Sequence, residues 1–138
     1  MHEGKLLCVK LKGYQTAINN DYWCLPGGGL DEGEDLIAGL RREMLEETNI
    51  EPVVGNLLFI NHFSMDDKEH LEFFFYVTNS QDYLNVDLSM ASHAEDEIDE
   101  LDFIDPSSSH ILPAFLTTEP LAQHIKDALP VKIFSTLS

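Results

Sequence analysis

The first regular pattern along the chain is KLLCVKLK, residues 5–12. It is apolar with partial alternation and predicts a β-strand, followed by a polar turn over residues 13–20. Trp23 and Leu25 lead into Pro26 and the glycines Gly27, Gly28 and Gly29, a combination that ends a strand and opens a loop. Over residues 35–47 the period changes. Leu36, Ile37, Leu40 and Met44 form one apolar stripe at helical spacing. Thr48 and Asn49 end this helix, Asn being second only to Gly in the left-handed conformation that commonly follows one.

Residues 53–63 (VVGNLLFINHF) and 70–78 (HLEFFFYVT) are rich in β-branched and aromatic side chains and predict an antiparallel hairpin joined by the turn SMDDKE. Alternation places Phe73, Phe75 and Val77 on one face and Phe74 and Tyr76 on the other, which predicts a strand buried on both sides. A further short strand is expected around residues 101–104. The last helix is expected to start at Thr118 as its cap, with Pro120 in the first turn, and to run to about Leu129. The order strand, loop, helix, several strands, helix predicts an α+β or mixed α/β fold.

With 138 residues and 43% hydrophobic content, the chain is expected to form one domain, 1–138, around one core. It has no apolar run long enough to span a bilayer, and MHEGKLLCVK lacks the sections of a secretion signal, so a cytoplasmic protein without a membrane partner is expected. Cys8 and Cys24 are too few for a disulfide framework and are read as reduced thiols. A net charge of −17 argues against duplex nucleic acid as a partner, because phosphate contacts call for a basic surface. A compact polyanion remains possible where a divalent cation inverts the local sign.

The candidate chemistry lies between the glycines and the helix. Glu34 and Asp35 occupy the places of the Lys and Ser or Thr of a P-loop, Glu32 replaces the last glycine of a dinucleotide fingerprint, and Leu36 and Arg42 stand where an EF-hand needs Gly and Glu. All three motifs are therefore excluded. Glu43, Glu46 and Glu47 remain, at spacings that put carboxylates on neighbouring helix positions, where like charges repel by roughly 0.2–0.5 kcal/mol per exposed pair. Hard cations would offset that repulsion, since Mg²⁺ takes oxygen ligands and is typically completed by substrate phosphates. Arg42, one turn before Glu46, can pair with it. Gly39 costs the helix roughly 1 kcal/mol relative to Ala and predicts a close neighbour on that face.

The series Gly28, Glu34, Arg42, Glu43, Met44, Glu46, Glu47 and Ile50, preceded by WCLPGG, resembles the Nudix box at every fixed position but one, Asn49 standing for the final glycine. The resemblance implies an α/β/α sandwich around a mixed β-sheet and hydrolysis of a small nucleoside diphosphate linked to another moiety. The substrate could be a nucleoside triphosphate, ADP-ribose, a dinucleoside polyphosphate or a nucleotide sugar. It implies that Glu43, Glu46 and Glu47 hold Mg²⁺ or Mn²⁺, with Glu46 and Glu47 catalytic, and that Glu34 and Arg42 keep loop and ligands in place. Gly27, Gly28 and Gly29 would let the backbone approach the substrate. A carboxylate from a later loop often serves as ligand or base in this family, and Glu97 is the choice here, with Glu95 and Glu72 behind it. Family members usually carry a strand before the one predicted at residues 5–12; its absence would leave a sheet edge open or filled by another segment, and predicts a homodimer. The alternative to an enzyme is a domain that keeps the fold and senses a nucleotide without turning it over.

Overall fold

The computed structural model describes residues 1–11, 22–91 and 98–136; the turn expected over 13–20, Glu95 and Glu97 lie outside them. The elements are β1 (Leu6–Leu11), β2 (Trp23–Cys24), α1 (Leu36–Thr48), β3 (Val54–Met65), β4 (Lys68–Val77), β5 (Ile98–Ile104), β6 (Ile111–Leu112), α2 (Leu121–Lys126) and β7 (Lys132–Ser135). Single 3₁₀ turns occur at Ser80–Tyr83, Leu88–Met90 and Ala114–Thr117. The expected mixed α+β class holds, with the strands divided between two mixed sheets. No helix among the described residues is long and apolar enough to cross a membrane. The chain divides into two compact units, one made of Met1–Val53 with Asn79–Glu119 and the other of Val54–Thr78 with Pro120–Ser138.

In the first unit the sheet order is β5-β1-β2-β6, antiparallel except for the parallel β2–β6 pair. In β1 the neighbours Cys8 and Val9 are both buried rather than alternating, and Val9 joins a cluster with Ile98 and Ala91, to which Leu11, Cys24, Leu88 and Leu101 add partly buried surface. β1 is not an open edge, because β5 and β2 flank it, so the reason given for a second chain pairing at this strand does not hold. β5 is longer than the predicted segment and begins at Ile98.

α1 begins at the Asp35 cap, whose carboxylate accepts from the Ala38 amide at 2.8 Å. It ends at Asn49, which has φ 62° and whose amide donates to the Leu45 carbonyl at 2.9 Å. The expected stripe needs one correction. Ile37 is 40% exposed, since burial follows the row Leu36, Leu40, Met44 and Thr48, and Ile37 lies about 100° round the helix from Leu36. Thr48 is buried because its hydroxyl donates to the Met44 carbonyl at 2.6 Å.

The second unit carries the sheet β4-β3-β7, with β3 antiparallel to β4 and parallel to β7. The hairpin is as read, but its turn is shorter than SMDDKE. Pairing continues to Met65 opposite Lys68, leaving Asp66 and Asp67 at the tip with φ 53° and 62°. Two successive left-handed residues make the turn whose twist matches the flanking strands, and the polar ladder residues beside it had hidden how far the strands run. Residues 73–77 are half-buried rather than buried on both sides. Phe59 is the centre of this unit's packing, 4.8 Å from the His124 ring and 5.9 Å from that of Phe134, both edge-on.

Thr118 does not cap the last helix. Its hydroxyl turns back to the Phe115 carbonyl at 3.3 Å, closing the 3₁₀ turn, and α2 starts after Pro120, whose ring restricts φ and which has no amide to be capped. α2 stops at Lys126, short of Leu129, because Ala128 adopts φ 46°.

Candidate active site

The glycine loop leaves β2 and returns to α1 within the first unit, and one side chain organises the return. Arg42 donates Nε to Glu34 Oε2 at 2.8 Å and Nη2 to Glu34 Oε1 at 3.0 Å, a two-pronged pair that matches guanidinium to carboxylate geometry. Nη2 also donates to the Gly29 carbonyl at 2.9 Å. Nη1 donates to Glu43 Oε1 at 2.9 Å and to Glu46 Oε2 at 3.2 Å, the latter being the pairing expected one helical turn on. Asp31 lies 3.1 Å from Nε, and its own amide donates to Glu34 Oε1 at 2.7 Å.

The electrostatics follow from this crowding. The Arg42 hydrogen bonds, then the Asp31 amide, hold the Glu34 carboxyl below its ordinary range, and Glu34 in turn raises Arg42 further into its charged form. Among the described residues, four carboxylates, Asp31, Glu34, Glu43 and Glu46, meet the Arg42 guanidinium, so in these contacts negative charges outnumber the positive one by three. Sequence reasoning did not select Asp31. Its only signal was its place three residues before Glu34, where its amide can reach that carboxylate.

The glycines have separate reasons. Gly27 has φ 134°, a backbone that L side chains rarely adopt, and its amide donates to Glu47 Oε2 at 3.0 Å. Glu47 is only 2% exposed, so this carboxylate tethers the loop from inside the unit. A Cβ on Gly28 would lie 2.6 Å from Glu43 Cδ and 2.8 Å from both carboxylate oxygens. The neighbour expected at Gly39 is the Leu30 side chain, with Glu34 Oε1 beyond it at 3.5 Å. Among the described residues nothing stands within 4 Å of a Cβ on Gly29.

The structure thus brings Glu34, Arg42, Glu43 and Glu46 together with Gly28 and Gly29, and sets Glu47 against Gly27. Among the described residues no three His, Cys, Asp or Glu side chains are grouped so as to hold a metal ion. The donor set nonetheless suits a hard cation: it is all carboxylate oxygen, carries excess negative charge, and lies against a loop with no room for a side chain at Gly28. Glu72 lies on β4 in the second unit and accepts from the buried Asn61 Nδ2 at 3.1 Å.

The glycine loop and acidic helix are one part of a match that extends over residues 2–125 to the NUDIX domain. The chain belongs to this family. Solved structures resemble it over most of its length. The crystal structure of a UDP-X diphosphatase superposes with a TM-score of 0.69 at 20% identity, over 96% of this chain and 62% of that one. An ADP-ribose pyrophosphatase from Streptococcus suis gives 0.63 at 15% identity, covering 96% and 92%. A NUDIX hydrolase from Nitrosomonas europaea gives 0.57 at 19%, covering 99% and 74%. At such identities these likenesses show the fold. The chain spans 62% of the length of the UDP-X diphosphatase. No curated protein matches it by sequence.

Nudix hydrolases generally use a divalent metal. In this Nudix chain the departure at Asn49 is accommodated, since Asn holds the left-handed conformation that the family glycine would supply.

Proposed function

We propose that this Nudix domain hydrolyses the pyrophosphate bond of a small nucleoside diphosphate-X substrate with the help of Mg²⁺ or Mn²⁺. The observation that carries this reading is the cluster of Asp31, Glu34, Glu43 and Glu46 around Arg42, with Gly28 pressed against Glu43. An anionic pyrophosphate would be repelled by such a site without added positive charge. Glu43, Glu46 and Glu47 would hold the cation, which supplies charge neutralisation and a more acidic water. Glu34 and Arg42 hold the loop and the ligand carboxylates in place, and the amide of Gly27 is fixed by Glu47. Glu97, next in sequence to the first residue of β5, accepts the proton of the attacking water. The water oxygen bonds to phosphorus as the bridging P–O bond breaks, leaving two phosphate-containing fragments.

Two fold relatives bear the names UDP-X diphosphatase and ADP-ribose pyrophosphatase, so nucleotide sugars and ADP-ribose are the first substrates to try, with nucleoside triphosphates and dinucleoside polyphosphates beside them. Phosphate-containing products are scored with Mg²⁺ and then with Mn²⁺. Glu46→Gln and Glu47→Gln are expected to lower kcat by on the order of a hundredfold or more. Nucleotide binding without turnover in the wild type would mark a sensing domain instead.

A further inference from the structure

We propose that Arg42 is the resident counter-cation of the box glutamates, and that it surrenders only its Nη1 contacts when a divalent cation binds. This inference rests on the metal-dependent reading above. Nη1 carries two protons, and both are used on carboxylates assigned to the cation, Glu43 Oε1 at 2.9 Å and Glu46 Oε2 at 3.2 Å. The rest of the guanidinium is anchored elsewhere: Nε and Nη2 grip Glu34 at 2.8 and 3.0 Å, Nη2 also reaches the Gly29 carbonyl at 2.9 Å, and Asp31 stands 3.1 Å from Nε. One nitrogen is therefore exchangeable and the other two are not.

A guanidinium that only oriented the ligands would need neither contact broken. Here Nη1 occupies oxygens of two of the three ligand carboxylates, so it offsets part of their charge while the cation is absent and competes with the cation when it arrives. After exchange the anchored edge keeps the positive charge close by, where it limits the affinity for the cation and favours its release. The repulsion between Glu43 and Glu46 is thus reduced first by Arg42 and then by the cation.

The test uses the full chain. Arg41 and Arg42 are its only arginines, so the nitrogen-15 guanidinium NMR signals of Arg42 are assigned by comparison with Arg41→Lys, a change at an exposed side chain. Titration with Mg²⁺ should shift the Nη signals of Arg42 saturably and leave Nε nearly unchanged. Mn²⁺ binding followed by electron paramagnetic resonance should be about tenfold tighter in Arg42→Gln, the scale of the two partly exposed Nη1 contacts no longer in the way. The cation-free variant should also melt below wild type. Arg42→Lys, which keeps the charge without the fork, should fall between the two. Weaker Mn²⁺ binding in Arg42→Gln, or Mg²⁺ binding that leaves the Arg42 Nη signals unmoved, overturns the exchange but not the metal-dependent reading. A wild type that binds neither ion overturns both. If Arg42→Gln does not fold, the wild-type titration decides by itself.

Discussion

Replacing Gly28 by Ala adds one methyl group in contact with the site and nothing elsewhere. The new Cβ would sit 2.6 Å from Glu43 Cδ, whereas ordinary contact begins near 3.4 Å, so the carboxylate has to retreat by 3.4 − 2.6, or 0.8 Å. Gly28 is not in the left-handed region, so its backbone accepts Ala and the strain falls on Glu43. A shift of that size stretches the 2.9 Å bond from Arg42 Nη1 toward 2.9 + 0.8, or 3.7 Å, beyond hydrogen-bond range. A charge-assisted hydrogen bond is worth about 1.5–3 kcal/mol net, discounted to about 1 kcal/mol for a partly exposed pair, so the domain should remain folded. Catalysis is more sensitive, since a misplacement of about 1 Å can cost on the order of a hundredfold. The assay is kcat/KM with Mg²⁺ and Mn²⁺ on the best substrate of the panel, beside urea unfolding. Gly39→Ala serves as the contrast. Its methyl meets the tip of Leu30, a flexible and half-exposed side chain, and the helix gains up to about 1 kcal/mol, so activity should hold. A Gly28→Ala enzyme within about threefold of wild type would refute the placement of Glu43 in the chemistry.

Glu34→Gln should flatten the acid limb of the stability profile. The Glu34 carboxyl is held below its ordinary 4.5, chiefly by Arg42, so its contribution is complete above that value and is lost as pH falls through the lowered one. Melting temperatures between about pH 7 and 3 should fall less steeply in the variant, and identical profiles would contradict the assignment. Burial, with the nearby Cys24 second, pushes the Cys8 thiol up to about 12, so iodoacetamide at about pH 8 should label Cys24 well before Cys8. Equal rates would show that β1 is not closed over Cys8. Asn49→Gly should gain about 0.5 kcal/mol or less in urea unfolding, because φ 62° is already tolerable for Asn; a loss of stability would mean the Asn side chain holds something Gly cannot.

Periodicity and local chemistry, both carried by the sequence, were enough to determine the box helix, the β3–β4 hairpin, the mixed α+β class and the family. Leu40 and Met44 recur at helical spacing, Asn49 supplies a left-handed stop, and Arg42 reaches Glu46 because residues four apart on a helix are neighbours wherever that helix sits. Gly39 likewise announced a close contact, but only the fold names it as Leu30. What tertiary structure alone decided is non-local. Whether Ile37 or Thr48 turns inward, whether Thr118 caps a helix or closes a 3₁₀ turn, and where a hairpin ends depend on partners and backbone angles that a spacing does not encode. The same holds within the site. Arg42 grips Glu34 and the Gly29 carbonyl, and Glu47 lies buried against the Gly27 amide, because the loop folds back onto the helix across a gap of many residues. A guanidinium has more donors than its own helix can use, and only that folding-back determines which acceptors come within reach.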